Sequence, residues 1–294
     1  MTIQALQEML SSPLMQRAFI VAILVGLSAP VVGTFLVQRG LSLMGDGIGH
    51  VALTGVAVGW LVAGGMNITP RDALAIPGAI VASIIGAVLI ELVRAHGRTG
   101  GDVALAMLFY GGIAGGVVLM SLAGGTSQNL NSYLFGSLAV VSERDVVYSA
   151  FLAAFILVVG IGLRGALFSL SHDEDFARSC GLPVRLLNVL VAVVAALTVS
   201  VAMRAVGVLL VSAIMIVPVA IAQLLSSSFT RAMSIAMGIG VIVCVTGLTV
   251  TYFVELQTGA TIVVILIGLY TVVALGRLVV THSLTNARSS HTRR

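Results

Sequence analysis

The sequence predicts an all-α, polytopic integral membrane bundle of eight or nine transmembrane helices. Three observations carry that prediction. Of 294 residues, 59% are hydrophobic and only 9% are charged, too few polar side chains to cover a water-soluble domain of this size. Apolar runs of about 20 residues, the length a helix needs to cross hydrocarbon, recur from end to end. The connections between them are short and carry most of the Arg, Asp and Glu. No polar segment is long enough to fold by itself in water, so residues 1–281 read as one transmembrane domain, followed by a basic cytoplasmic tail over 282–294.

In chain order the spans fall near 14–37, 40–64, 73–95, 102–123, 145–168, 186–203, 206–226, 230–254 and 259–281. The 128–142 stretch has room for a further short helix, and merging or dropping one span would leave eight. The first run is long for a signal-peptide core and lacks an A-x-A cleavage site, so it is expected to be retained. Ahead of it, "IQALQEML" fits an amphipathic turn or two on the outer interface.

Arginine orients the bundle. All fifteen basic residues are Arg. In the nine-span arrangement eleven fall on one side (Arg39, Arg94, Arg98, Arg164, Arg178, Arg185, Arg231, Arg277, Arg288, Arg293 and Arg294) and four on the other (Arg17, Arg71, Arg144 and Arg204). The positive-inside rule then puts the C-terminus in the cytoplasm and the N-terminus outside. The net charge of +4 is scattered between apolar runs without interleaved aromatics, which argues against nucleic acid. Cys180 and Cys244 make neither a disulfide framework nor a metal cluster. His282 and His291 in the tail are too sparse for a metal-binding tract.

Within the second span, "LMGDGIGHVALTG" sets Asp46 and His50 four residues apart. Counted from Arg39 at the cytoplasmic edge, Asp46 is expected about 10 Å into the membrane at ~1.5 Å of rise per residue. Residues four apart share a helix face, so carboxylate and imidazole can converge. Ionisable groups at such depth face a bundle interior or an aqueous path. Three readings compete: a structural hydrogen bond, a proton relay, or ligands for a metal cation in transit. Two ligands are fewer than the four of a resident zinc site, but a transport site has to release its ion. Carboxylate and imidazole suit zinc, manganese or ferrous ions and discriminate little among them. Gly45, Gly47 and Gly49 are expected to serve close helix packing, or a local break, and not a nucleotide loop. No strand precedes them, and a lysine-free chain has no P-loop, so any ATP hydrolysis belongs to another polypeptide.

The densest charge lies in "SLSHDEDFARSCGLPVRLLN". Ser171 as N-cap with Glu174 at N3 would complete a capping box. Asp173, Glu174 and Asp175 suit a helix's first turn, Gly181 its left-handed end and Pro183 its termination. A helix of about two turns over 172–180 is expected. So short a helix is marginal alone. It either rests on the membrane interface or docks on a cytoplasmic partner through Phe176.

This segment and the following "ALTVSVAMRAVGVLLVSAIMIVPVAIAQLL", together with "FLVQRGLSLMGDGIGHVALTGVAVG", resemble the permease subunits of metal-uptake ABC transporters of the zinc, manganese and iron type. The resemblance covers nearly the whole chain. It implies a bacterial cytoplasmic-membrane permease, working as a homodimer with a separate cytoplasmic ABC ATPase and an extracytoplasmic metal-binding protein. Asp173, Ala177 and Gly181 match its D-x-x-x-A-x-x-x-G pattern, which implies that 172–180 is the coupling helix inserted into the ATPase. Asp46 and His50 match its D-x-x-x-H motif, which implies contact with the transported ion. The implied cargo is zinc, manganese or iron, with zinc placed slightly ahead, and no tightly bound cofactor. The alternative is a proton-coupled secondary cation transporter in which Asp46 and His50 relay protons.

Other polar features are weaker. Glu91 and Arg94 are expected to snorkel at a membrane edge. Arg204 and Glu255 both fall toward the outside, where they would pair or line a gate, and Pro218 should kink its span. Neither H-E-x-x-H nor a serine-nucleophile motif is present, so a transporter subunit is expected and not an enzyme. The methionines are scattered and form no copper pathway.

Overall fold

The computed structural model describes residues 3–96, 101–136, 141–254 and 256–291. Thirteen α-helices follow one another: α1 (Ile3–Ser11), α2 (Pro13–Gln38), α3 (Met44–Gly65), α4 (Ala75–His96), α5 (Gly101–Leu122), α6 (Ser127–Phe135), α7 (Glu143–Gly162), α8 (Arg164–His172), α9 (Glu174–Ser179), α10 (Val184–Ala205), α11 (Val208–Leu225), α12 (Phe229–Phe253) and α13 (Thr258–His291). Among the described residues, nine helices are long and apolar enough to cross a membrane, in the order the hydrophobic runs predict. The short helix allowed for in 128–142 is α6.

Three boundaries differ from expectation, the last being that α13 runs as one helix to His291 and so takes in most of the segment read as a separate tail after residue 281. The second span begins at Met44, because α2 closes just before it. Gly40 adopts φ +67°, its N–H donates to Val37 O (3.1 Å), and the Leu41 N–H donates to Leu36 O (2.8 Å). That pair of bonds is the Schellman arrangement, which needs a residue without Cβ strain at this position. The fifth span ends at Gly162, and the chain turns at Leu163 into the separate helix α8. Gly160, Gly162 and Gly165 crowd this point, and glycine weakens helix continuation.

Helix α2 is the central post and packs on α7, α10, α11 and α12, while α3 is enclosed by α4, α5, α10 and α11. Lipid is as apolar as leucine, so helices in a membrane associate through close packing and polar contacts. Both devices are present. Gly26 of α2 and Gly240 of α12 meet backbone to backbone, and Ser83 of α4 hydrogen-bonds Ser200 of α10 at 2.7 Å. Large apolar side chains such as Val81, Phe151, Val158 and Ile267 point out of the bundle, as a hydrocarbon solvent requires.

The charged residues collect at opposite ends. At one end Arg17 pairs with Glu143, and a groove of about 780 Å³ is lined by these two together with Asp72, Arg144 and Asp145. Ser142 caps α7 there, its N–H donating to Asp145 Oδ2 at 2.8 Å. At the other end Arg94 pairs with Glu91 at 2.9 Å, and Arg39 faces Glu174 at 4.0 Å. With the arginine-rich end in the cytoplasm, reporter fusions should show an external N-terminus and an internal C-terminus. An internal N-terminus would mean that α2 does not span.

Candidate functional site

Asp46 lies in the first turn of α3, where the free N–H groups of a helix favour an acidic side chain. It is therefore nearer the Arg39 end of the bundle than a helix starting at residue 40 would have placed it. His50 follows one turn deeper and is fully buried. Its Nε2 stands 3.8 Å from Asp46 Oδ1, beyond hydrogen-bond distance. Neither ring nitrogen has a hydrogen-bond partner. Phe109 of α5 meets the ring edge-on, with centroids 4.4 Å apart. Ser212 of α11 donates to Asp46 Oδ1 at 3.3 Å.

Glycines set this geometry. A Cβ on Gly112 of α5 would lie 2.6 Å from the His50 carbonyl carbon, one on Gly49 would lie 3.0 Å from Val208, and one on Gly47 would lie 2.9 Å from Leu105. The α3 glycines thus serve close packing, and α3 runs unbroken through them. Thr54 Oγ1 donates to Gly112 O at 2.7 Å and fixes the register of α5 on α3. Unlike His50, the Asp46 side chain is 26% exposed. It opens into a groove of about 310 Å³ with Leu43, Leu105, Ala106, Phe109 and Tyr110.

Among the described residues no third His, Cys, Asp or Glu joins the pair. The site therefore offers one carboxylate, one unpaired imidazole and the Ser212 hydroxyl. It can give a dication one charge and two or three donors, with the remaining positions open. Ser212 and Phe109 were missed in the sequence. Ser212, a lone hydroxyl in the apolar run of α11, was the available signal.

At the end that carries Arg39 and Arg94, the expected short helix exists as α9, but its cap differs. The Ser171–Glu174 capping box does not form. Ser171 belongs to the last turn of α8, where its hydroxyl donates back to Leu167 O at 2.7 Å. Asp173 is the N-cap instead and accepts from the Phe176 N–H at 2.9 Å. Asp173 immediately precedes the helix and is as good an N-cap as serine, and α8 already holds the serine. The far end is as expected. Gly181 has φ +77°, its N–H donates to Arg178 O (3.0 Å), and the Leu182 N–H donates to Ala177 O (3.1 Å). Ala177 is buried against the bundle, whereas Phe176 is 57% exposed. One face of α9 is thus seated and the other offered.

Arg39 lies beside α9 and was read only as an orientation signal. Its side chain is 6% exposed, and Nη1 has no hydrogen-bond partner. Burial lowers the pKa of this guanidinium from its ordinary value, Glu91 and Glu174 oppose that, and Arg94 adds to it. Arginine nevertheless stays charged at any physiological pH. Glu91 does not snorkel: it is buried and held by Arg94. Pro218 is buried inside α11, which continues through it as one helix. The Arg204 side chain and all of Glu255 lie outside the described residues, as does any pairing between them.

Among the described residues, nine candidate membrane spans enclose a carboxylate–imidazole pair, with a short seated helix at the end that carries Arg39 and Arg94, the architecture of a multi-pass membrane protein. The ABC 3 transport family model matches residues 11–277, and the chain belongs to that family. It is 33% identical to the chelated iron transport system membrane protein YfeD of Yersinia pestis, over 94% of this chain and 89% of that protein. It is 31% identical to the manganese transport system membrane protein MntC of Halalkalibacterium halodurans, covering 88% and 85%. Among solved structures it matches a chain of PsaBC from Streptococcus pneumoniae in complex with Fab. That match has a TM-score of 0.81 at 28% identity, covering 93% of this chain and 95% of that one.

The close approach at Gly112 predicts a packing defect. Gly112→Leu should lower stability in detergent by about 1–3 kcal/mol, because the added Cβ meets backbone that cannot yield. Gly268→Leu, where a Cβ would have nothing within 4 Å, should leave the melting temperature unchanged. Thermal unfolding of the two purified variants checks both.

Proposed function

We propose that this chain is the membrane subunit of an ATP-driven importer of divalent transition metals, with Asp46 and His50 touching the ion in transit. The observation that carries the reading is the fully buried His50, both of whose nitrogens lack a partner beside a carboxylate. A structural hydrogen bond would have closed the 3.8 Å gap, and leaving a buried polar group unpaired costs about 1–3 kcal/mol. A cation between the two groups would satisfy both. Membership of the ABC 3 family supports the same reading over a proton-coupled carrier. The cargo we favour is manganese, ahead of zinc and iron, because relatives named for manganese transport stand among the close matches. No tightly bound cofactor is invoked.

Hydrolysis is assigned to a separate cytoplasmic ATPase that receives α9 through Phe176. Metal is delivered by an extracytoplasmic binding protein. A second copy of this chain is placed over the exposed apolar face of α5, formed by Val103, Met107 and Tyr110. That placement would close the groove beside Asp46 and complete the ion's coordination with water, backbone carbonyls or the second copy's own pair.

Asp46→Asn keeps the shape but removes the charge that offsets a dication, and His50→Ala removes the nitrogen donor. Both should abolish metal uptake while the permease still reaches the membrane and holds its ATPase. Uptake should also weaken in acid, because metal binds only the neutral imidazole. Collapse of uptake on dissipating the proton gradient with ATP maintained would favour the carrier reading. Robust ATP-driven uptake by the Asp46→Asn, His50→Ala double variant would sink the metal assignment.

Phe176→Ala and Gly181→Val test the docking. Gly181→Val forces a β-branched residue into φ +77°, a strain of about 1–3 kcal/mol that α9 cannot absorb. Each variant should reach the membrane normally yet co-purify less ATPase. Unchanged co-purification and unchanged uptake in both would leave α9 resting on the membrane interface.

A further inference from the structure

We propose that Arg39 is a positioning residue through which displacement of α9 reaches the α2–α3 turn, and with it Asp46. The proposal rests on the importer reading above, and on four observations at the cytoplasmic end of α2.

The first is place. Arg39 is the C-cap of α2, and α3 starts five residues later with Asp46 in its first turn. The second is stiffness. Gly40 and Leu41 bond back onto α2, and the Met44 N–H donates to Leu41 O at 2.9 Å. Closed in this way, the turn moves with Arg39 as a unit and does not act as a loose hinge.

The third is an ion pair that is made but not saturated. The Arg39 Nη2 faces Glu174 Oε2 of α9 at 4.0 Å, at the outer limit of a salt bridge. Its Nη1 is buried without a partner, as are Gln38 Oε1 beside it in sequence and Asn188 Oδ1 of α10. A buried guanidinium with an open donor has a strong reason to follow an approaching carboxylate. The other acid acting on it, Glu91 of α4, is already held by Arg94 at 2.9 Å. Glu174 in turn is shared with Arg178 at 3.2 Å. Movement of α9 therefore changes which charges Arg39 faces, at a fixed distance along the chain from Asp46.

The fourth separates this charge path from ordinary packing. A ring series, His172 to Phe168 to Phe229 to Phe35, already seats α8 on α12 and α2. The seating of the α8–α9 elbow thus does not depend on Arg39, and a change that removes only its charge tests transmission.

The experiment uses the complete transporter in proteoliposomes, with manganese as probe and its binding protein supplied on one side. Manganese taken up per ATP hydrolysed is measured for Arg39→Gln, Arg39→Lys, Glu174→Gln and the Arg39→Gln, Glu174→Gln double variant. The two single neutral variants should each lower that ratio by about fivefold or more while still co-purifying the ATPase. The double should be no worse than either single, because both break one link. Arg39→Lys should recover part of the ratio, which a purely steric role would not predict. Wild-type ratios in both single variants, or losses that multiply in the double, would overturn the proposal. If Arg39→Gln fails to assemble, Glu174→Gln decides alone, and a wild-type ratio there overturns it. A wild-type complex without ATP-dependent uptake would overturn the importer reading and this proposal together, whereas normal import with unaffected variants overturns only the role of Arg39.

Discussion

Asp46 and His50 can stand side by side in a bilayer because α3 is enclosed at backbone distance. Gly55 meets Gly78 of α4, Gly59 meets Leu74, and Gly112 of α5 lies against the His50 carbonyl. With side chains at those glycines, α4 and α5 would stand off and leave lipid against an imidazole. The enclosure also creates a gradient. His50 is sealed, while Asp46 one turn toward the cytoplasm still touches the groove along α5. A dication reaching this pair meets a carboxylate that remains partly accessible and a nitrogen that has no other partner to lose. On the proposed reading, two or three donors would hold the ion weakly enough for release, since a closed four-ligand shell is the mark of a site that keeps its metal.

The spans were legible because hydrocarbon imposes one length on every crossing helix. The candidate site stood out for a related reason: charge inside such a helix is costly, so a four-residue spacing of Asp and His is conspicuous against valine and alanine. What the sequence hid was tertiary. Gly26 and Gly240 are 214 positions apart in number, and nothing local marks either as the other's partner; the same holds for Ser83 and Ser200. The early end of α2 is a different kind of miss. "QRGLSL" contains glycine followed by leucine, the usual left-handed helix end with its apolar follower, but the surrounding apolar run masked it. At Ser171 two caps competed within three residues. Only the existence of α8 decides between them, because a serine used inside one helix cannot cap the next.

Family membership and geometry bear on different links of the argument. The match over residues 11–277 fixes the class of protein but says nothing about which atoms meet an ion. The geometry offers candidate donor atoms, a carboxylate and an imidazole, which serve manganese, zinc and iron alike. Selectivity in such a site has to come from the rest of the coordination shell or from the protein that delivers the ion.

The form of α9 bears on how force can cross the cytoplasmic face. Six residues make a helix too short to persist by propensity, yet this one is closed at both ends. Asp173 caps its start, Gly181 and Leu182 close its end, and Arg178 reaches back to Glu174 and Asp175. Such investment in local stiffness would be pointless in a loop that merely lay on the membrane, where a frayed segment serves equally well. It makes sense in a lever, because a flexible element would dissipate displacement in its own dihedrals. Ala177 fixes one face of that lever to the bundle, and Phe176 presents the other. The connections inward then differ in kind: rings packed from His172 to Phe35, and charge from Glu174 to Arg39. Packing resists compression but transmits little pull, whereas an ion pair acts in both directions. On the proposed role of Arg39, both connections meet at the last turn of α2, next to the turn that starts α3, and would let one short helix push and draw the segment that holds Asp46.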